Sequence, residues 1–140
     1  MPAKKKVPRF SAAISEFCQM MEDARKDYEW NSEEVGRLDR LTQDYLHQLE
    51  LGGYDYQQRA KVATKLAECR KLRRISKDTV EVLEPFIVFL DSDKGKSMLN
   101  LTREALGKTR KVEERMETRT YRYRVIDAPN LTGSGGSNFE

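Results

Sequence analysis

Gly95-Lys96-Ser97 comes nearest to a phosphate-binding motif, following an apolar run and preceding a helical pattern. A complete phosphate loop needs a further glycine about five residues upstream, so that backbone N–H groups can cradle the phosphates. That position is Leu90, and the chain has no repeated strand–helix units to build the usual sheet. Asp91-x-Asp93-x-Gly95 resembles part of a calcium loop, but the glycine stands one place early and Thr102 occupies the position of the closing bidentate glutamate. A turn with helix capping accounts for both segments. His47 is the only histidine and lies between Leu46 and Leu49, where it reads as a surface or seam-flanking residue. Cys18 and Cys69 fall at apolar helical positions and read as small core residues. Two cysteines and one histidine do not complete a four-ligand zinc site without carboxylates. None of the 23 acids stands in an apolar setting that would raise its pKa. The expectation is a protein with no catalytic residue, no metal and no cofactor.

The cations offer the better lead. Arg70, Lys71, Arg73 and Arg74 put four positive charges into five residues, nearly a full helical turn. Lys108, Arg110, Lys111, Arg115, Arg119, Arg122 and Arg124 continue the positive charge, with Tyr121 and Tyr123 between the last arginines. Arginine beside tyrosine suits phosphate contact and base stacking. The bland alternatives are that the first group neutralises acids on a neighbouring helix, and that the Tyr/Arg stretch is an ordinary edge strand. The isoelectric point of about 8.8 lies below the usual nucleic-acid footprint.

The elements that must position these residues are helices. Residues 1–9 read as a flexible basic arm, with two prolines and no periodicity. From Ser11 a period of seven sets in: Ile14, Met21, Tyr28, Val35, Thr42 and Leu49, with Phe17, Ala24, Asn31, Leu38 and Tyr45 three residues on. Asn31 and Glu34 offer a capping box that would break the helix, but the register holds across them, so one long helix is expected. Gly52-Gly53 ends it, and Asp55 with Gln58 caps the next. There Val62, Leu66, Cys69, Leu72, Val80, Leu83, Ile87 and Leu90 recur at helical spacing. Pro85 should kink or restart this helix, and residues 86–90 fit a strand as well as a helix. After a turn at 91–95, a third helix carries Met98, Leu101, Ala105, Leu106, Val112 and Met116 on one side. The alternation of Tyr121, Tyr123 and Val125 with Arg122 and Arg124 predicts a short extended segment from Thr118. Residues 127–140 read as a flexible Gly/Ser-rich tail or an appended linker. The expected fold is all-α over residues 10–126: a long antiparallel, coiled-coil-like helical hairpin with a third packed helix.

Charge supports the hairpin. The 140-residue chain carries 26 bases and 23 acids, a net +3, but in blocks. Residues 10–55 hold eleven acids and four bases, residues 56–77 eight bases and one acid, residues 78–93 five acids and no base, and residues 94–124 ten bases and four acids. Folding at Gly52-Gly53 would lay the bases Arg59 to Lys77 near Glu29, Glu33, Glu34, Asp39, Asp44 and Glu50, and Asp78 and Glu81 near Arg25 and Lys26. No apolar stretch approaches the roughly 18–20 residues of a membrane span, and no export signal follows the basic start. A cytoplasmic location with reduced cysteines is therefore expected.

The runs from Lys61 to Arg74, Lys77-Asp78, Val82 to Pro85, Phe89-Leu90 and Arg103 to Val112, with the Tyr-Arg ending, resemble small helical accessory proteins of bacterial prophages and related mobile elements. The resemblance covers roughly residues 35–125 and transfers no activity. It implies a small accessory protein of a bacterial host cytoplasm that acts by binding. Inhibitors of host nucleases of the anti-CRISPR type are a special case. Many of those imitate DNA with acidic surfaces, whereas this chain is net basic. The expected function is that of a non-enzymatic binding module docking on a protein or nucleoprotein partner through its basic surface. Direct DNA or RNA binding, and a structural homodimer pairing through the long heptad seam, are the alternatives.

Overall fold

The computed structural model describes residues 7–127, so most of the expected basic arm and all but the first residue of the expected tail lie outside it. Three helices follow one another: α1 (Phe10–Leu51), α2 (Tyr56–Asp91) and α3 (Asp93–Thr118). Among the described residues there is no strand.

α1 runs unbroken for 42 residues. The polar triplet at its middle does not interrupt it, because its side chains turn back onto the helix. Asn31 Nδ2 donates to the Asp27 carbonyl at 2.7 Å and Ser32 Oγ to the Tyr28 carbonyl at 2.7 Å. Gly52 closes the helix through its N–H on the Gln48 carbonyl, and Gly53 turns the chain with φ of +61°. Asp55 and Gln58 then form the reciprocal cap of α2: Asp55 Oδ1 accepts the Gln58 N–H at 2.8 Å, and Gln58 Oε1 accepts the Asp55 N–H at 3.1 Å.

α2 continues through Pro85 without a break, and residues 86–90 are helical. The β-forming side chains there are overruled by packing. Ile87 and Leu90 are buried against Cys18 and Met21, with Leu83 and Phe86 beside them, and only helical spacing brings all four to one side. Across the hairpin, Val62, Leu66, Cys69, Arg73, Ser76, Val80, Leu83, Ile87 and Leu90 form the half-buried and buried stripe. This corrects the expected face in one place: Leu72 is 53% exposed, and Arg73 and Ser76 take the seam. α1 also departs from its expected seam near the start. Phe17 is exposed and Cys18, one residue on, is buried.

Ser92 alone separates α2 from α3. It ends one helix and caps the other, its Oγ accepting the Gly95 N–H at 3.1 Å. α3 then runs antiparallel to the first part of α1. Arg103 Nη2 donates to Glu22 Oε1 at 3.0 Å, the Ser11 N–H donates to Glu113 Oε2 at 3.1 Å, and Arg9 pairs with Glu117. The long α1 is thus covered by α2 along most of its length and by α3 at its beginning. The face of α3 turned inward is Gly95, Leu99, Thr102, Leu106, Thr109 and Glu113, with Met98 at its edge. The expected face therefore needs correction: Leu101, Ala105, Val112 and Met116 are open to solvent. Beyond Thr118 the chain is exposed and leaves the helix with Arg119 in extended backbone, but no paired strand forms through Tyr121, Tyr123 and Val125.

The core is small. Among the described residues six apolar side chains are buried, Cys18, Met21, Leu38, Cys69, Ile87 and Leu90, so each carries a large share of the packing. Beside Leu38 the seam is polar: Thr42 Oγ1 donates to the Leu38 carbonyl at 2.8 Å, and Cys69 Sγ donates to the same oxygen at 3.3 Å.

The first turn of α1 has no cap of its own, since the side chain of Arg9 at the N-cap makes no hydrogen bond to the helix backbone. Glu113 of α3 supplies it by accepting the Ser11 N–H. The hydrogen bond from Ser11 holds the Glu113 carboxyl below its ordinary pKa, with Arg9 and Arg110 adding to the effect. A depressed carboxylate stabilises the folded form above the ordinary glutamate pKa, and this contribution fades as pH falls through the depressed value. Glu113→Gln should remove that acid-range component from the pH dependence of unfolding while leaving the neutral-to-alkaline part unchanged in shape. An identical acid limb in both proteins would count against the cap.

Candidate polyanion interface

The motifs that looked most like chemistry are structural. Gly95 is buried at the α2–α3 corner with its N–H held by Ser92, so Gly95-Lys96-Ser97 presents no open cradle for a phosphate. His47 is exposed on α1. Among the described residues no group of three or more His, Cys, Asp or Glu is placed to hold a metal ion.

The two sets of cations occupy different places. Arg70 and Arg73 lie beside Asp39, deep in the hairpin, whereas Glu113 and Glu117 of α3 lie beside Ser11 and Arg9. From Asp39 to Ser11 along α1 is on the order of 40 Å, taken from the helical rise. The acidic second half of α2 stands between them. They do not form one surface.

The α2 set is partly used within the molecule. Arg73 donates to both carboxylate oxygens of Asp39, and Arg70 Nη1 stands 3.7 Å from the same carboxylate. This is less cross-hairpin pairing than the charge blocks predict. Asp39 is the only acid of α1 that pairs with a base of α2 among the described residues, and Glu34 turns instead to Arg37 of its own helix. Arg25 pairs with Asp91 at 2.6 Å, not with Asp78 or Glu81. Lys71 and Arg74 are exposed and enter no ion pair among the described residues.

The α3 set is different. Lys108, Arg110, Lys111, Arg115, Arg119, Arg122 and Arg124 enter no ion pair among the described residues. Lys108, Lys111 and Arg115 fall on one stripe, on the side of α3 away from the inward residues Leu106, Thr109 and Glu113. Arg119 begins the irregular segment that leads to Tyr121 and Tyr123, whose rings meet edge to face with centroids 5.3 Å apart. Two nearby acids are occupied: Glu113 holds the Ser11 N–H, and Glu117 holds Arg9. The C-terminal end of α3 also carries the negative end of the helix dipole, which these cations complement. That is the bland account of Arg115, but it does not extend to the arginines beyond the helix.

Arg9 belongs to this end of the molecule. Val7, Pro8 and Arg9 line a shallow depression with Glu113, Met116, Glu117 and Arg119. Residues 1–9, expected as a flexible arm, therefore contribute Arg9 to this end of the helical unit. The one signal in the sequence is opposite charge, Arg9 before the first helix and Glu113 and Glu117 near the end of the third.

The chain matches no protein-family model, and neither a curated protein nor a solved structure shows significant similarity to it.

Proposed function

We propose that this protein is a non-enzymatic binding module that docks on a nucleoprotein partner through the basic end formed by α3 and the segment following it. The observation that carries the reading is the concentration of seven cations over residues 108–124 without an ion pair among the described residues. Buried or paired cations would be structural. These are exposed, three of them share one stripe, and two tyrosines stand among the arginines, one of them 81% exposed. Lys108, Lys111 and Arg115 take phosphates as point charges and forks, and Tyr121 and Tyr123 offer stacking faces to unpaired bases. The resemblance to accessory proteins of bacterial mobile elements supports the same reading, with the bacterial cytoplasm as the setting. No helix among the described residues is long and apolar enough to cross a membrane.

Binding to labelled single- and double-stranded DNA and RNA, at about 50 and 200 mM salt, tests this directly. The expected result is binding at low salt that weakens steeply at high salt. Lys108→Gln, Lys111→Gln and Arg115→Gln together should reduce the logarithmic salt slope by about 2 to 3, roughly one counterion for each lost contact. Absence of binding to all four at low salt would reject nucleic acid as the contacted component.

A further inference from the structure

α2 carries a second apolar stripe beside the inward one, exposed at Leu72, Ile75, Val82 and Phe89 and half-buried at Thr79 and Phe86. Leu72, Ile75, Thr79, Val82, Phe86 and Phe89 recur at alternating spacings of three and four, the pattern of a coiled-coil seam. This stripe lies beside the inward one but is distinct from it. Leu72 is 53% exposed, Ile75 62% and Val82 78%. Asp27 of α1 borders a shallow depression with Ile75, Thr79 and Val82. Met20 and Ala24 share the face of α1 that carries Asp27, and Met20 is exposed, so the apolar surface extends onto α1.

The charges flanking this stripe identify what fits it. α2 is basic up to Lys77 and acidic from Asp78 onward. The stripe straddles that boundary, with Lys71 and Arg74 exposed at its first half and Asp78, Glu81 and Glu84 exposed at its second. Two such helices set antiparallel place each basic half along the other's acidic half. A parallel pair would set like against like. A surface that is complementary to itself under a two-fold axis is the signature of an isologous interface.

We infer that the protein forms an antiparallel homodimer through this outer face of α2, with a second copy of the chain as the occupant. With the axis near Lys77 and Asp78, Leu72 packs opposite Val82 of the second copy and Ile75 opposite Thr79 of the second copy. Lys71 and Arg74 then face the acids that follow Lys77 in the other chain. The seam of α1 takes no part, because α2 of the same chain fills it. The interface also gives a role to Lys71 and Arg74, which have no ion pair among the described residues.

Sedimentation across a concentration series is the test, with four proteins. Wild type should sediment as a dimer at micromolar concentration. Ile75→Glu with Val82→Glu should be monomeric with unchanged helical circular dichroism, because both positions are exposed in the single chain. Lys71→Glu/Arg74→Glu and Glu81→Lys/Glu84→Lys should each raise the dissociation constant by at least about a hundredfold. Mixed in equal amounts, these two charge-reversed proteins should dimerise again, since each then meets its complement. A wild-type monomer throughout the series overturns the inference, as does a dimer indifferent to Ile75→Glu with Val82→Glu. Failure of the mixture to dimerise overturns the antiparallel pairing.

Discussion

Gly95→Ala should unfold the α2–α3 corner. A methyl group built on Gly95 would stand 1.9 Å from the Phe89 carbonyl oxygen and 2.8 Å from Leu90 Cα. These are backbone atoms near the end of α2, so no rotamer change relieves the clash. The two helices must separate, and separating them uncovers Leu90 and Leu99 around Met21. Overpacking of a fixed site costs about 1–3 kcal/mol, and an obstruction by backbone belongs at or above the top of that range. For a protein whose whole stability is about 5–15 kcal/mol, this is a large fraction. Gly107→Ala supplies the matched control. It is the same chemical change in the same helix, but with nothing within 4 Å of the new methyl group. There alanine should stabilise by roughly 0.5–1 kcal/mol, the ordinary gain over glycine in a helix interior. Urea unfolding of the two variants should therefore shift in opposite directions from wild type. Equal shifts would mean that the corner is not packed as described.

The second large effect is expected at Met21. Its side chain is 1% exposed and lies among Cys18, Ile87 and Leu90, with α3 pressing in through Met98 and Leu99. Met21→Ala removes three heavy atoms from a site where elements from all three helices meet. Such truncations cost about 2–5 kcal/mol, depending on how far the walls collapse. Here the walls are three helices held by a single-residue corner and a hairpin loop, which limits collapse and favours the upper part of the range. Met20→Ala changes the neighbouring residue, which is 49% exposed, and should stay within about 1 kcal/mol of wild type. The difference between the two urea midpoints measures the core directly.

These expectations rest on details that the sequence carried unevenly. The unbroken α1, the Gly52-Gly53 turn and the Asp55–Gln58 cap were all legible, because each is a local matter of a few neighbouring residues. The hairpin was legible from apolar period and charge together. The face of α2 was not. Its apolar arc is wider than the strip α1 can cover, so Leu72 and Arg73 compete for the seam. Arg73 takes it because Asp39 waits across the gap, a fact that depends on the register of two helices. Residues 86–90 have the composition of a strand and the burial of a helix, and only Cys18 and Met21 decide between them. For α3 the periodicity was correct but its phase was not. Gly95 sets the phase by demanding close approach at the corner, which turns Leu101 and Val112 outward. The candidate site suffered most. Two runs of cations that read as one surface stand on the order of 40 Å apart along α1, because Arg70 and Arg73 meet its second half while α3 folds back onto its beginning.

The pairing of Arg9 with Glu117 places the two borders of the helical unit side by side, while Gly52 and Gly53 stand at the opposite extremity. The unit is therefore polar in the geographical sense, with an address at each end. Anything fused before Arg9 or after Thr118 would sit against the basic surface and compete with what binds there. A dye or affinity handle inserted at the glycine turn would stand about 60 Å away, the length of α1 at its helical rise. It would report on tumbling and capture without touching the interface. For a protein this slender, the choice of attachment point decides whether a binding measurement reads the molecule or its label.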